Sequence, residues 1–231
     1  MNTKSCDAIV PASFRDPCGK VFLRKGVIFR GIDASYLPHF EKFIQSGCYD
    51  TLIEKGLLIP HVDVELSSED KAKWAKLIKP QHISFISYPY EWCFGQLRDA
   101  AFTTLRIQKI AMKFGLSLKD ASAFNIQFVR GKPVLIDTTS FEKLPEGKPW
   151  SAYRQFCGHF LGPLALSSYT NHAVQRLLRV HLDGLPLDFV ASCLPWRTWF
   201  RISLLIHVHL HSRSQMKNSS PENMRDYLAA G

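Results

Sequence analysis

The sequence predicts an α+β fold in which a strand-rich N-terminal part, extending to about Ser87, precedes a helical remainder. Two patterns carry this. In the first ninety residues, short β-prone runs alternate with Gly- and Pro-containing breaks. From Phe94 to Phe114, apolar residues recur at helical spacing, and further helical patterns follow from Trp150 onward.

Val21-Phe22-Leu23 and Val27-Ile28-Phe29 flank Arg24-Lys25-Gly26, the pattern of a hairpin. Asp33 or Ser35 is suited to cap a helix that runs to about Gln45, and Gly47 to stop it. A second short helix is expected over Tyr49 to Lys55, ended by Gly56. Leu57 to Val64 reads as a strand, and Pro60 confines it to an edge or makes it irregular. His82 to Ser87 is expected to be the next strand, since Ile83, Phe85 and Ile86 are apolar and β-prone. In the Phe94–Phe114 helix, Leu97, Ala101 and Leu105 form one apolar row. Ile107, Ile110, Ala111 and Phe114 form another, so the helix should be largely buried and end at Gly115. A polar loop, Ser117 to Phe124, leads to a hairpin with strands Asn125–Val129 and Pro133–Ile136 around Arg130-Gly131-Lys132. Trp150 to Leu161 is expected to be helical, with Pro186 and Pro195 marking later boundaries.

The chain has 231 residues, of which 46% are hydrophobic and 21% charged, a composition that supports a packed core. Only the stretch from about Ser212 is polar enough to read as a tail. The net charge of +9 comes from scattered Lys and Arg, with no run of five, so a solvated surface is expected and nucleic acid is not. The six cysteines, at 6, 18, 48, 93, 157 and 193, have no metal-finger spacing and fit reduced thiols in the cytoplasm. No signal peptide is evident at the start. The apolar run Ile202–Leu210 is interrupted by His207 and His209 and is too short for a membrane span. His207, His209 and His211 alternate, but no neighbouring Cys or carboxylate completes a metal set. Trp150, Tyr153 and Phe156 are placed as core residues of a helix start.

The chemistry-bearing order is a buried helix, a loop with Asp120, then Asn125, a hairpin, and Asp137 at a strand end. Phosphoryl transfer from a nucleotide calls for these residue types. Mg²⁺ bridges the phosphates, takes oxygen ligands from carboxylate and amide, and a further carboxylate orients the acceptor hydroxyl.

The phrases "LKDASAFNIQF" and "RGKPVLIDTTSF" resemble the catalytic loop and metal-binding segment of protein-kinase-like folds, the aminoglycoside and choline phosphotransferase branch more closely. The resemblance implies a bilobal fold, with a small strand-rich N-lobe over 1–87 and a crossing segment over 88–92. A helical C-lobe would cover 93–211, and a polar tail 212–231. It implies Asp120 as catalytic base and Asn125 and Asp137 as ligands of Mg²⁺, with ATP as the nucleotide. Arg30 falls where a phosphate-binding Lys is usual, with Glu41 as its helix partner. Gly19 falls in the phosphate-covering loop "ASFRDPCGKVF", which has only one Gly. Two further departures are Leu118, where a His is usual, and Thr138-Thr139, where a Phe-Gly-like pair is usual.

A second resemblance spans more of the chain. "YPYEWCFGQLRDAAFTTL", "LKDASAFNIQF", "VLIDTTSFE" and "PWSAYRQFCGHFLGPLAL" are similar to the N-terminal region of a bacterial family. Its members are labelled SAM-dependent methyltransferases, some as nodulation-protein-like. No Gly-rich loop opens a helix after a strand here, so SAM is not expected to bind this chain. The expectation is a kinase-like half, truncated or stand-alone, that serves a methyltransferase domain or subunit and is weakly active or inactive alone. The alternative is an active ATP-dependent phosphotransferase acting on a small hydroxylated or amino compound.

Overall fold

The computed structural model describes residues 7–10 and 17–212. The expected tail beyond Ser212 and residues 12–16 of the expected covering loop lie outside the described residues. The chain is α+β and divides into two units. The first comprises the residues up to Ile86, Thr103–Lys119 and Asn125–Trp150. The second comprises Ser87–Phe102, Asp120–Phe124 and Ser151 onward.

The first unit is built on a five-stranded antiparallel sheet. Its strands are β1 (Ala8–Ile9), β2 (Gly19–Arg24), β3 (Val27–Ile32), β4 (His61–Val64) and β5 (Lys76–Pro80), in the order β1-β2-β3-β5-β4. The β2–β3 hairpin forms where expected. Its two turn residues, Lys25 and Gly26, have φ of 51° and 77°, the left-handed geometry that matches the twist of paired strands. Helices α1 (Leu37–Gln45) and α2 (Cys48–Glu54) follow. Asp33 does not cap α1 directly. Its carboxylate accepts from the Ser35 backbone and hydroxyl, forming the turn that precedes the helix. Phe40 and Tyr36 pack with Ile32, Ile78 and Cys18 as one core cluster.

The strand expected at His82–Ser87 is absent, and β5 forms just before it. Leu77 and Ile78 are buried in β5, between β3 and β4, whereas Phe85 and Ile86 are exposed. The β-prone run at 82–87 finds no ladder partner, and pairing outweighs propensity. The expected strand Leu57–Val64 splits at Pro60. Leu57 and Ile59 exchange backbone hydrogen bonds with Leu135, and only His61–Val64 joins the sheet, at its edge.

An ionic cluster ties this sheet to the short helix α3 (Ser68–Lys71). Arg24 donates to both carboxylate oxygens of Asp70 at 2.6 and 3.1 Å and to those of Asp7 at 2.8 and 2.9 Å. Asp70 also closes a capping box with Ser67.

Helix α4 (Phe94–Lys113) forms as expected, and its two halves belong to different units. It is buried along one side, through Leu97, Ala101, Thr104, Ile107 and Gln108, while Phe102, Leu105 and Met112 are exposed. The expectation of a largely buried helix is therefore corrected for Leu105. Strand β6 (Leu116–Leu118) pairs with β9 (Phe141–Lys143), and the expected hairpin is β7 (Ile126–Val129) with β8 (Lys132–Leu135). Arg130 and Gly131 take left-handed φ in its turn.

In the second unit, α5 (Tyr153–Phe156) runs through a π-helical segment, Cys157–Leu161, into α6 (Gly162–Tyr169). The helix starts later than expected and continues eight residues further. A 3-10 segment (His172–Arg179) and α7 (Leu187–Cys193) follow, with Pro186 at the start boundary of α7. The unit's core is Leu166, Leu178, Leu185, Val190 and Val208. Gly158 and Gly184 meet backbone to backbone, and a Cβ on Gly184 would sit 2.8 Å from the Gly158 carbonyl carbon. Among the described residues, no helix is long and apolar enough to cross a membrane.

Candidate functional site

The polar centre of the first unit is assembled from β3 and from the segment that follows β8. Arg30 lies on β3, between Val21 of β2 and Ile78 of β5. Flanking strands hold its backbone and bury its stem. Asp137 follows β8 by two residues. One guanidinium nitrogen of Arg30 lies 2.8 Å from Asp137 Oδ1, and side-chain exposures of 10% and 15% place both groups largely out of water. The other terminal nitrogen donates to Thr139 Oγ1. Thr139 in turn donates to Asp137 Oδ1 twice, from its backbone N–H at 2.7 Å and from its hydroxyl at 2.8 Å.

Burial pushes the pKa of Asp137 up. The Arg30 charge and the hydrogen bonds from Thr139 and Ser140 outweigh it and hold the carboxyl below its ordinary value. Asp137 is thus a buried anion stabilised by a cation and by hydroxyls. Ser140 extends the network, because Asn125 Nδ2 reaches its Oγ at 3.5 Å. Asn125 is fixed through its backbone carbonyl, which accepts from the Ile136 N–H at 2.8 Å. The structure therefore brings Arg30, Asn125 and Asp137 into one network, linked by Thr139 and Ser140.

A second layer lies around it. The Tyr36 hydroxyl donates to the Phe141 carbonyl at 2.5 Å. Burial, reinforced by the Asp137 charge, pushes that phenol above its ordinary range, so it stays neutral. The Lys119 ammonium lies 4.1 Å from the Tyr36 ring centroid and donates to the Cys18 sulfur at 2.6 Å.

The remaining expected residues make other contacts. Glu41 is exposed on α1, and Arg30 pairs with Asp137. Gly19 sits at the start of β2 opposite Ile32, where a Cβ would lie 1.9 Å from the Gly31 carbonyl oxygen. Close strand approach accounts for that glycine. Asp120 belongs to the second unit. Its Oδ1 accepts from the Ser122 N–H at 2.9 Å, and Gln155 Oε1 holds the next N–H, of Ala121, at 2.6 Å. Phe124 meets the buried His159 ring edge-on at 5.9 Å. Burial lowers the His159 pKa to about 4, so that ring is neutral at physiological pH.

Sequence reasoning missed the residues that brace Leu118. Gln108, buried on α4, accepts from the Leu118 N–H at 2.7 Å and donates to Ser117 Oγ at 3.0 Å. Trp150 donates its indole N–H to the Leu118 carbonyl at 2.6 Å. Two side chains thus hold the Leu118 backbone at both its N–H and its carbonyl. A glutamine between Ile107 and Lys109 was the available signal, since a buried amide in a helix is normally satisfied by a specific partner. Thr139 stood out only as part of a departure from a family pattern, and nothing in the sequence singled out Ser140.

A surface groove of about 530 Å³ lies away from this network, against Ile28, His61, Lys79 and His82. No carboxylate lines it, so it does not suit Mg²⁺. Among the described residues, no group of three or more His, Cys, Asp or Glu side chains forms a ready metal cage, and His207, His209 and His211 make none.

No family model matches the chain. The chain is similar to Nodulation protein NoeA of Rhizobium meliloti (strain 1021), with 32% identity over 213 residues. That match takes in 91% of this chain but 44% of the relative, so the chain spans less than half the relative's length. The likeness to nodulation-protein-like bacterial sequences is supported by this relative.

Proposed function

We propose that this chain is a nucleotide-binding domain of the protein-kinase-like kind, with a bilobal plan, that binds Mg²⁺ and ATP and has weak or no phosphotransferase activity alone. In this reading it serves a longer nodulation-related protein or a methyltransferase partner in the bacterial cytoplasm. The network of Arg30, Asp137, Thr139, Ser140 and Asn125 is the observation that carries the proposal. It presents a carboxylate and an amide on the ends of a rigid hairpin, beside a cation that suits phosphate. The donor set is all oxygen, which fits a hard divalent ion. Asp137 and Asn125 would hold the ion, and Arg30 would turn to the phosphates. The ion's chemistry would be neutralisation of phosphate charge.

The same network argues against fast turnover. Arg30 already neutralises Asp137, so an incoming cation must displace a guanidinium at 2.8 Å. Asp120 keeps the base position of the kinase-like resemblance, and Gln108 and Trp150 brace the start of its loop. That bracing favours a second reading, an active phosphotransferase on a small hydroxylated or amino compound.

Calorimetry on the purified chain tests nucleotide binding. Mg²⁺-dependent ATP binding is expected, absent for SAM and lost in Asp137→Ala. ATP affinity independent of Mg²⁺ and of Asp137 would overturn the assignment. A panel of sugars, aminoglycosides and amino alcohols, with Asp120→Ala as control, tests the second reading. Turnover near ~1 per second that vanishes in the control would establish it.

A further inference from the structure

We infer that the segment from Trp196 to Leu210 is a docking face for an anionic phospholipid surface. It begins with a 3-10 turn (Trp196–Phe200), passes through Arg201, and continues as α8 (Ile202–Leu204) into a π-helical stretch (Leu205–Leu210). Trp196, Phe200 and Ile202 are 76%, 76% and 75% exposed, and Ile206 and Leu210 are about half exposed at 49% and 48%. An exposed apolar side chain alone is ordinary, but a continuous series of five in fifteen residues is not.

The local backbone makes these side chains neighbours. The Trp196 and Phe200 rings meet edge to face at 5.8 Å. Arg201 is extended, with φ −96° and ψ 104°, so the residues on either side of it, Phe200 and Ile202, project to the same side. Ile202, Ile206 and Leu210 follow at a spacing of four, which keeps them along one stripe of a helix. The opposite side of the segment is anchored. Thr198 Oγ1 lies 2.9 Å from His209 Nε2, Trp199 stacks on the His209 ring at 4.3 Å, and Val208 is fully buried. The apolar stripe is therefore displayed by a fixed element.

Its composition selects the occupant. Arg197 and Arg201 are exposed within the same segment, no acidic residue lies between Trp196 and Leu210, and the whole chain carries a net charge of +9. Exposed Trp and Phe with flanking Arg match the requirements of a bilayer interface. The rings enter the headgroup boundary, the aliphatic side chains go deeper, and the guanidinium groups stay at the level of anionic phosphates. The helix is too short to span, so the contact is peripheral.

The test is co-sedimentation of the full chain with vesicles of phosphatidylcholine containing phosphatidylglycerol, against vesicles of phosphatidylcholine alone. Binding is expected only with the anionic lipid and should weaken as salt rises. Phe200→Ser with Ile202→Ser should lower the partition coefficient at least about tenfold. Both positions are about three-quarters exposed, so the circular dichroism melt should not change. Arg197→Glu with Arg201→Glu should abolish the preference for anionic lipid. Failure to sediment with anionic vesicles, or equal sedimentation of the Phe200/Ile202 variant, would overturn the inference. So would a concentration-dependent dimer that this variant dissociates, since the stripe would then meet a second copy of the chain.

Discussion

Breaking the Arg30–Asp137 pair from both sides at once should destabilise the fold by less than the sum of the two single losses. Asp137→Asn keeps an oxygen to accept from Thr139 but removes the charge facing Arg30. Arg30→Met keeps the stem and removes the guanidinium. At an effective dielectric of about 20, charges about 4 Å apart attract by roughly 4 kcal/mol, and desolvation of both groups cancels part of this. With side-chain exposures of only 10% and 15%, water compensates little when one partner is lost. Each single variant should therefore lose about 3 kcal/mol, and the double variant should fall short of the sum by about 2 kcal/mol. Urea unfolding of all four proteins at pH 7, followed by far-ultraviolet circular dichroism, measures this cycle. Additivity within about 0.5 kcal/mol would refute the reasoning, because the two groups would then act independently.

Asp70, held by hydrogen bonds from Arg24 and Ser67 against the opposing effect of burial, has its pKa lowered to about 2. Its contribution to stability is thus complete above the ordinary value of 3.8 and fades as pH falls from there towards 2; Asp70→Asn should flatten that part of a pH–melting-temperature curve, and an unchanged slope would contradict the assignment. Gly31→Ala would place a Cβ 2.3 Å from the Trp74 ring, which also stacks on Phe22 at 6.1 Å. The variant should lose at least about 2 kcal/mol in denaturant titration, and much less in a Trp74→Ala background, where the clash is removed.

The local rules of turn and helix were readable because their causes are local. Lys25-Gly26 and Arg130-Gly131 take left-handed φ where the sequence places turns between β-prone runs. Gly115 and the apolar period bounded α4 to within one residue. The misplaced strand had a non-local cause. The runs at 76–80 and 82–87 are both β-prone, and only the positions of β3 and β4 decide that Leu77 and Ile78 go inside. Leu105 was assigned to the core for a similar reason, since the sequence shows which residues share a helix face but not how wide a surface covers that face. At the polar centre, Asp137, Asn125 and Arg30 were legible as residue types in order. The partner of Arg30 was not, because a guanidinium on β3 reaches a carboxylate more than a hundred residues away, across a contact that leaves no mark in spacing. The close approach of Gly19 to the Gly31 carbonyl was not legible either, because spacing does not show which backbone passes a glycine.

The choice of arginine at position 30 gives the polar centre its character. A lysine would offer one mobile ammonium that can leave Asp137 for a phosphate with little rearrangement. The planar fork of Arg30 is engaged at two points, with Asp137 through one nitrogen and with Thr139 through the other. Thr139 is itself held by Asp137, so the three groups close a ring of contacts, and moving one breaks two. A cation drawn to Asp137 must therefore act against the whole ring, whereas a phosphate bearing its own Mg²⁺ supplies a new partner for each group released. Under the proposed reading, free Mg²⁺ should bind poorly and the Mg²⁺–nucleotide pair much better. The metal and the nucleotide are then coupled through Arg30, and the coupling is reciprocal because it is a difference of binding free energies.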